Sequence, residues 1–150
     1  MCAIPAQIQD TLTIRAYPDV THMPRTPTED LRLTRLTKIC LALPEVAREI
    51  QGSHASFLVR KKVFVYFLNN HHGDGIVSVS CKVFPGDNTA LAASQPERFY
   101  LPAYIAHRGW VALRLDVGEI DWDEVAEMVS GSYILTAPKK LAAMVESRVE

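Results

Sequence analysis

His54-Ala55-Ser56-Phe57-Leu58-Val59-Arg60-Lys61-Lys62-Val63-Phe64-Val65-Tyr66-Phe67-Leu68 is the stretch that decides the fold. Residues 57–59 and 63–68 are rich in β-branched and aromatic side chains, and the polar Arg60-Lys61-Lys62 between them marks a turn, so the stretch reads as a β-hairpin. In the second arm, alternation puts Val63, Val65 and Phe67 on one face and Phe64, Tyr66 and Leu68 on the other. Apolar residues on both faces predict a central strand, covered on both sides.

Working outward, residues 69–75 (Asn-Asn-His-His-Gly-Asp-Gly) form a polar, Gly-containing turn. Val77, Val79, Cys81 and Val83 then alternate with Ser78, Ser80 and Lys82, which predicts a strand with one wet face. Pro85-Gly86-Asp87 marks another turn, and residues 88–94 suit a short helix with Leu91 facing inward. Residues 95–108 are rich in Pro and aromatics and read as irregular. Val111, Leu113 and Leu115, alternating with Ala112, Arg114 and Asp116, give a last strand, and residues 48–52 a short first one.

Helices flank these strands. One begins near Thr26 or Thr28, either of which can cap free N–H groups, with Glu29 and Asp30 at the positive end of its dipole. Leu36, Ile39, Cys40 and Leu43 share its buried face; Arg32, Arg35 and Lys38 fall on another, and Pro44 ends it. Asp121 caps a second helix that buries Trp122, Val125, Ala126 and Val129, with Gly131 placed to stop it. A final helix starts between Thr136 and Pro138 and buries Leu141, Met144 and Val145. Short turns between successive strands favour antiparallel pairing. The expected fold is α+β: an antiparallel β-sheet of about five strands with helices packed at one face and the ends. An irregular N-terminal arm over residues 1–26 precedes a single domain over residues 27–150.

Composition bounds the function. Hydrophobic residues make up 48% of the 150 residues, enough for a core without disulfides or metal. Cys2, Cys40 and Cys81 show no CxxC spacing, and the latter two sit in apolar patterns as buried thiols. No apolar run reaches the roughly 18 residues that span a bilayer, and residues 1–10 lack a basic segment followed by an apolar one. These features predict a cytoplasmic protein with no membrane association. A net charge of −1 lacks the basic surplus of a dedicated nucleic-acid binder. Charge is unevenly spread, however: residues 116–131 hold Asp116, Glu119, Asp121, Asp123, Glu124 and Glu127 without any Lys or Arg.

Three stretches carry a resemblance to a known family: Leu41-Ala42-Leu43-Pro44-Glu45-Val46; the segment from His54 to Phe64 quoted above; and Tyr104-Ile105-Ala106-His107-Arg108-Gly109-Trp110-Val111 with Asp121-Trp122, Ser132-Tyr133 and Ala137-Pro138-Lys139. Over roughly residues 30–145 the chain resembles the MmcQ/YjbR family. The resemblance implies a small domain similar in fold to secretion-chaperone-like and frataxin-like (CyaY-like) proteins. It also implies a "double-wing" arrangement proposed to bind DNA, and it brings no catalytic residue set. Carried onto this chain, the wings are the turn at Arg60-Lys61-Lys62 and the loop over residues 69–75; the first fits with successive cations, whereas the second holds Asp74 and two histidines.

Two functional expectations follow. The first is a weak, nonspecific DNA-binding module using Arg60, Lys61 and Lys62, helped by Lys82, Arg108 and Arg114, with affinity that falls as salt rises. The second is a module for a small anion or a protein segment, with a pocket near Tyr104, Arg108 and Trp110 and with His54, Tyr133 and Lys139 as further ligand-binding candidates. Ser132, Tyr133, Lys139 and Lys140 also surround a helix start, a setting for anions. His71 and His72 with Asp74 fall short of the three or four converging ligands of a transition-metal site. No nucleophile–base constellation is legible, so neither catalysis, a metal nor a cofactor is expected.

Overall fold

The structure is a computed structural model that describes residues 29–70 and 73–149. Its strands are β1 (Val46–Gln51), β2 (His54–Val59), β3 (Lys62–Asn69), β4 (Val77–Lys82), β5 (Phe99–Tyr100) and β6 (Trp110–Arg114). They form one six-stranded antiparallel sheet in the order β1-β2-β3-β4-β6-β5. The helices are α1 (Leu31–Leu41), α2 (Asp87–Ser94), α3 (Trp122–Thr136) and α4 (Lys139–Val149). This is the expected α+β fold with one strand more. The extra strand is the two-residue β5, inside the segment read as irregular. It is too short to show alternation in sequence.

The β2–β3 hairpin forms as predicted, with a tighter turn. Val59 pairs with Lys62, so Lys62 belongs to β3 and only Arg60 and Lys61 make the turn. Both hold left-handed backbone, at φ 50° and 69°. That is the pattern of a type I′ turn, where Asn-Gly is the usual choice because each L side chain there adds strain.

Strict alternation breaks once in β3. Phe57 faces Val65 while Leu58 faces Val63, which leaves Phe64 as the extra residue of a β-bulge. The bulge turns Phe64 toward the helices together with Val65, and both are fully buried. Phe64 meets the Tyr133 ring edge-on, with centroids 5.4 Å apart. The core between sheet and helices gathers Phe57, Phe67, Val79 and Val111 against Leu36, Cys40, Val125 and Val129. Burying each such side chain stabilises the fold by ~1.5–3 kcal/mol. Cys40 and Cys81 are buried free thiols in this layer; burial pushes the Cys81 thiol up to about 12 and Cys40 higher still.

The adjacent residues Ser132 and Tyr133 fasten α3 to three other parts of the chain. The Ser132 hydroxyl accepts from the Lys82 N–H at 2.8 Å and donates to the Phe64 carbonyl at 2.6 Å. The Tyr133 hydroxyl donates to the Pro44 carbonyl at 2.7 Å, holding the α1–β1 connection. At the start of α3, the Asp121 carboxylate accepts from the N–H groups of Asp123 and Glu124, as its spacing predicts.

Several expectations are corrected. The α1 cap is Asp30, whose side chain accepts from the Arg32 N–H at 2.8 Å; Thr26 and Thr28, like the arm over residues 1–26, lie outside the described residues. Ser78 and Ser80, read as the wet face of β4, are fully buried, because the chain between β5 and β6 passes over them. Gly131 does not stop α3. The helix runs on to Thr136, since Ser132 and Tyr133 are held in helical register by their buried partners. Ala137, in extended backbone before Pro138, ends it instead. A glycine inside a helix forgoes ~1 kcal/mol relative to alanine. In α4 it is Ala142, not Met144, that joins Leu141 and Val145 in the core; Met144 is 46% exposed. Among the described residues, no helix is long and apolar enough to cross a membrane.

Two substitutions test the fastening. Ser132→Ala strands the Lys82 N–H and the Phe64 carbonyl, and is expected to destabilise by roughly 2–4 kcal/mol in urea unfolding. Tyr133→Phe loses one bond and is expected to cost roughly 1–2 kcal/mol. If Ser132→Ala unfolds within ~0.5 kcal/mol of the parent, the hydroxyl is not what holds α3.

Candidate functional site

The two faces of the sheet differ. One is covered by α1, α3 and α4. The other carries Ser56, Leu58, Tyr66, Leu68, Ser78, Ser80, Ala112 and Arg114, by register with their neighbours. Among the described residues, the segment between β5 and β6, with a 3-10 turn at Ala106–Arg108, crosses this second face. Two devices hold the segment down. The Asn88 side-chain amide, buried on α2, donates to the carbonyls of Ala106 at 2.8 Å and Trp110 at 3.2 Å. Gly109, at φ 93°, sits where a Cβ would come within 2.9 Å of the Val83 carbonyl, so only glycine fits.

A pocket of about 420 Å³ opens between this segment and the sheet. Tyr66 and Leu68 of β3 form its floor, Tyr100, Leu101, Tyr104 and Ile105 its wall, and Asp74 reaches it from the β3–β4 loop. The Tyr100 and Ser78 hydroxyls share a hydrogen bond at 2.9 Å, and burial raises the Tyr100 hydroxyl above its ordinary pKa. Trp110 stands beside the floor on the same face, its ring 5.3 Å from that of Tyr66. Tyr104 stands 82% exposed at the mouth, on backbone at φ 70°.

Of the residues singled out in the sequence for this site, Tyr104 lines the pocket and Trp110 supports it. Arg108 is exposed on the 3-10 turn and is not part of the lining. Tyr133 is buried on the opposite side of the sheet with its hydroxyl on Pro44, and Lys139 is exposed at the start of α4. His54 begins β2, where its Nδ1 accepts from the Asn69 N–H at 3.1 Å. Tyr66, Leu68, Tyr100, Leu101 and Ile105 escaped notice. Tyr66 and Leu68 stood on the second face of β3 and were read as core, while Tyr100, Leu101 and Ile105 fell in the segment read as irregular.

Arg114 lies apart from the other cations, and two of the arginines are already paired. Arg60 is held in a two-point grip by Glu45, at 2.6 and 3.1 Å, and the guanidinium holds that carboxyl below its usual pKa. Glu45 itself sits at φ 58°, so both partners of the pair occupy left-handed backbone. Arg114 is paired with Asp116 at 3.0 Å, which lowers the Asp116 pKa. Arg114 faces Ser78, which faces Leu68, so it lies about 20 Å along the sheet from Lys62. Lys82 lines a groove with Asp87, Glu127 and Glu146. Lys61 and Lys62 are exposed, with no ion-pair partner among the described residues. No group of three His, Cys, Asp or Glu able to hold a metal occurs among the described residues, and His71 and His72 lie outside them.

The fold has a solved counterpart. A crystal structure of a Deinococcus radiodurans protein with a domain described as DUF419 superposes with a TM-score of 0.56 at 21% identity, covering 69% of this chain and 76% of the other. No curated protein matches the chain. A family model described as YjbR matches residues 41–135, which takes in every strand and three of the four helices in whole or part. With that match spanning more than half of its length, the chain belongs to the YjbR family.

Proposed function

We propose that the chain is a binding module whose ligand site is the tyrosine-lined pocket on the face of the sheet opposite α1, α3 and α4. The observation that supports this reading is the grouping of Tyr66, Tyr100 and Tyr104 around about 420 Å³ of open space, with Tyr104 presented on left-handed backbone. A side chain in that conformation costs roughly 1–2 kcal/mol, and such strain gathers at ligand clamps. Among the described residues, the lining holds one carboxylate, Asp74, and no Lys or Arg. Tyrosine faces attract cations. The favoured occupant is therefore a cationic side chain such as arginine, carried on an apolar protein segment, in preference to a small anion.

Trp110 gives the test a reporter. In a Trp122→Phe background it is the sole tryptophan. Arginine-containing peptides are expected to raise the melting temperature and shift Trp110 emission. Tyr66→Ala and Tyr104→Ala are each expected to weaken binding at least tenfold, about 1.4 kcal/mol. If phosphates, nucleotides or carboxylates stabilise the protein instead, and Arg108→Ala abolishes the effect, the anion reading replaces this one.

A second reading, nonspecific DNA contact, draws on a separate observation: two consecutive cationic residues, Arg60 and Lys61, occupy a turn that Asn-Gly would fill without strain. With Arg60 held by Glu45, the exposed charges are Lys61 and Lys62. Two phosphate contacts correspond to a log–log salt slope of about −2. Replacing Arg60-Lys61 by Asn-Gly is expected to raise stability by roughly 1–2 kcal/mol and to flatten that slope. Binding to duplex DNA that does not respond to salt would end this reading.

A further inference from the structure

A second concavity lies on the helix-covered side, between α3, α4 and the link from β4 to α2, with a volume of about 440 Å³. Val83, Met128, Ile134 and Leu135 line it, and Phe84 stands at its mouth 64% exposed. Gly131, in the body of α3, also faces it.

Gly131 is the informative residue. A Cβ built there would meet no atom within 4 Å, and its backbone is ordinary helix. Among the described residues, neither packing nor conformation calls for glycine at this position, and alanine would make a better helix. A bare backbone at this point permits close approach to the outside of α3. The charges around the groove indicate what approaches. Asp87, Glu127 and Glu146 stand in its lining against a single cation, Lys82, and none of the three carboxylates has an ion-pair partner among the described residues.

We infer that this groove receives an amphipathic helical segment of a partner protein, with large apolar side chains flanked by Lys or Arg, packed across α3 at Gly131. Apolar anchors at i, i+3/i+4 and i+7 match a groove running beside a helix. Basic flanks meet the unpaired carboxylates, which steers encounter and register. A second copy of this chain fits less well: two-fold pairing through the groove brings two copies of the same acid-rich lining together. This site is independent of the tyrosine-lined pocket.

The test uses the full chain and two fluorescein-labelled peptides, one with Leu and Phe anchors flanked by Lys, the other with every Lys replaced by Glu. Anisotropy is expected to show the basic peptide binding at least tenfold more tightly than the acidic one. Gly131→Leu is expected to weaken that binding at least tenfold while the melting temperature stays the same or rises, so that loss of folding cannot explain the result. Glu127→Lys with Glu146→Lys is expected to reverse the peptide preference, while Tyr66→Ala leaves it unchanged. Equal binding of both peptides, no binding of either, or full affinity in Gly131→Leu overturns the inference. So does sedimentation showing a dimer that Gly131→Leu dissolves, because the groove would then be a self-interface.

Discussion

The strand ladder of this protein is completed by a side chain. With Val65 facing Cys81, the Phe64 carbonyl and the Lys82 N–H lie opposite each other at the bulge, and the Ser132 hydroxyl stands between them, accepting from one and donating to the other. A buried peptide group left without a partner costs about 1–3 kcal/mol, so β3 and β4 can part here only because a hydroxyl fills the gap. Tyr133 extends the same fastening to Pro44. The position of α3 on the sheet, and through it the seats of α1 and α4, follows from these bonds.

The other face is shaped by a different economy. Small side chains, Ser78, Ser80 and Ala112, let the β5–β6 segment lie close over the middle of the sheet. Asn88 and Gly109 set where that segment comes down. Where the small residues give way to Tyr66 and Leu68, the segment stands off and the pocket opens. Among the described residues, the non-glycine positions in left-handed backbone, namely Glu45, Arg60, Lys61, Asn70 and Tyr104, all occur in connections, where rigid elements on either side can impose the strain.

Much of this was legible in the sequence because it depends on local periodicity. The β2–β3 hairpin, the strand at Val77, the strand after Gly109 and the Asp121 cap each declare themselves within a few residues. What escaped depends on distant partners. Nothing near Gly131 shows that the next two residues are pinned by β3, β4 and Pro44, so a stop signal was read where the helix continues. Ser78 and Ser80 look solvent-facing until the covering segment is placed. Arg60 and Arg114 read as open cations for the same reason: Glu45 and Asp116 find their arginines only through the turn and strand geometry. The site was legible in Tyr104 and Trp110, and illegible in Tyr66 and Tyr100, whose aromatic character reads equally well as core.

The bonds made by Ser132 and Tyr133 close chain separations of 50, 68 and 89 residues. Contacts of that span bring little reward until the intervening chain is ordered, so they belong to the end of a folding pathway more than to its start. The β2–β3–β4 meander has only short connections to close and can assemble without α3. A nascent chain emerging from synthesis would therefore hold this meander together, with only α1 on its inner face, until the last fifth of the sequence arrives to complete the cover.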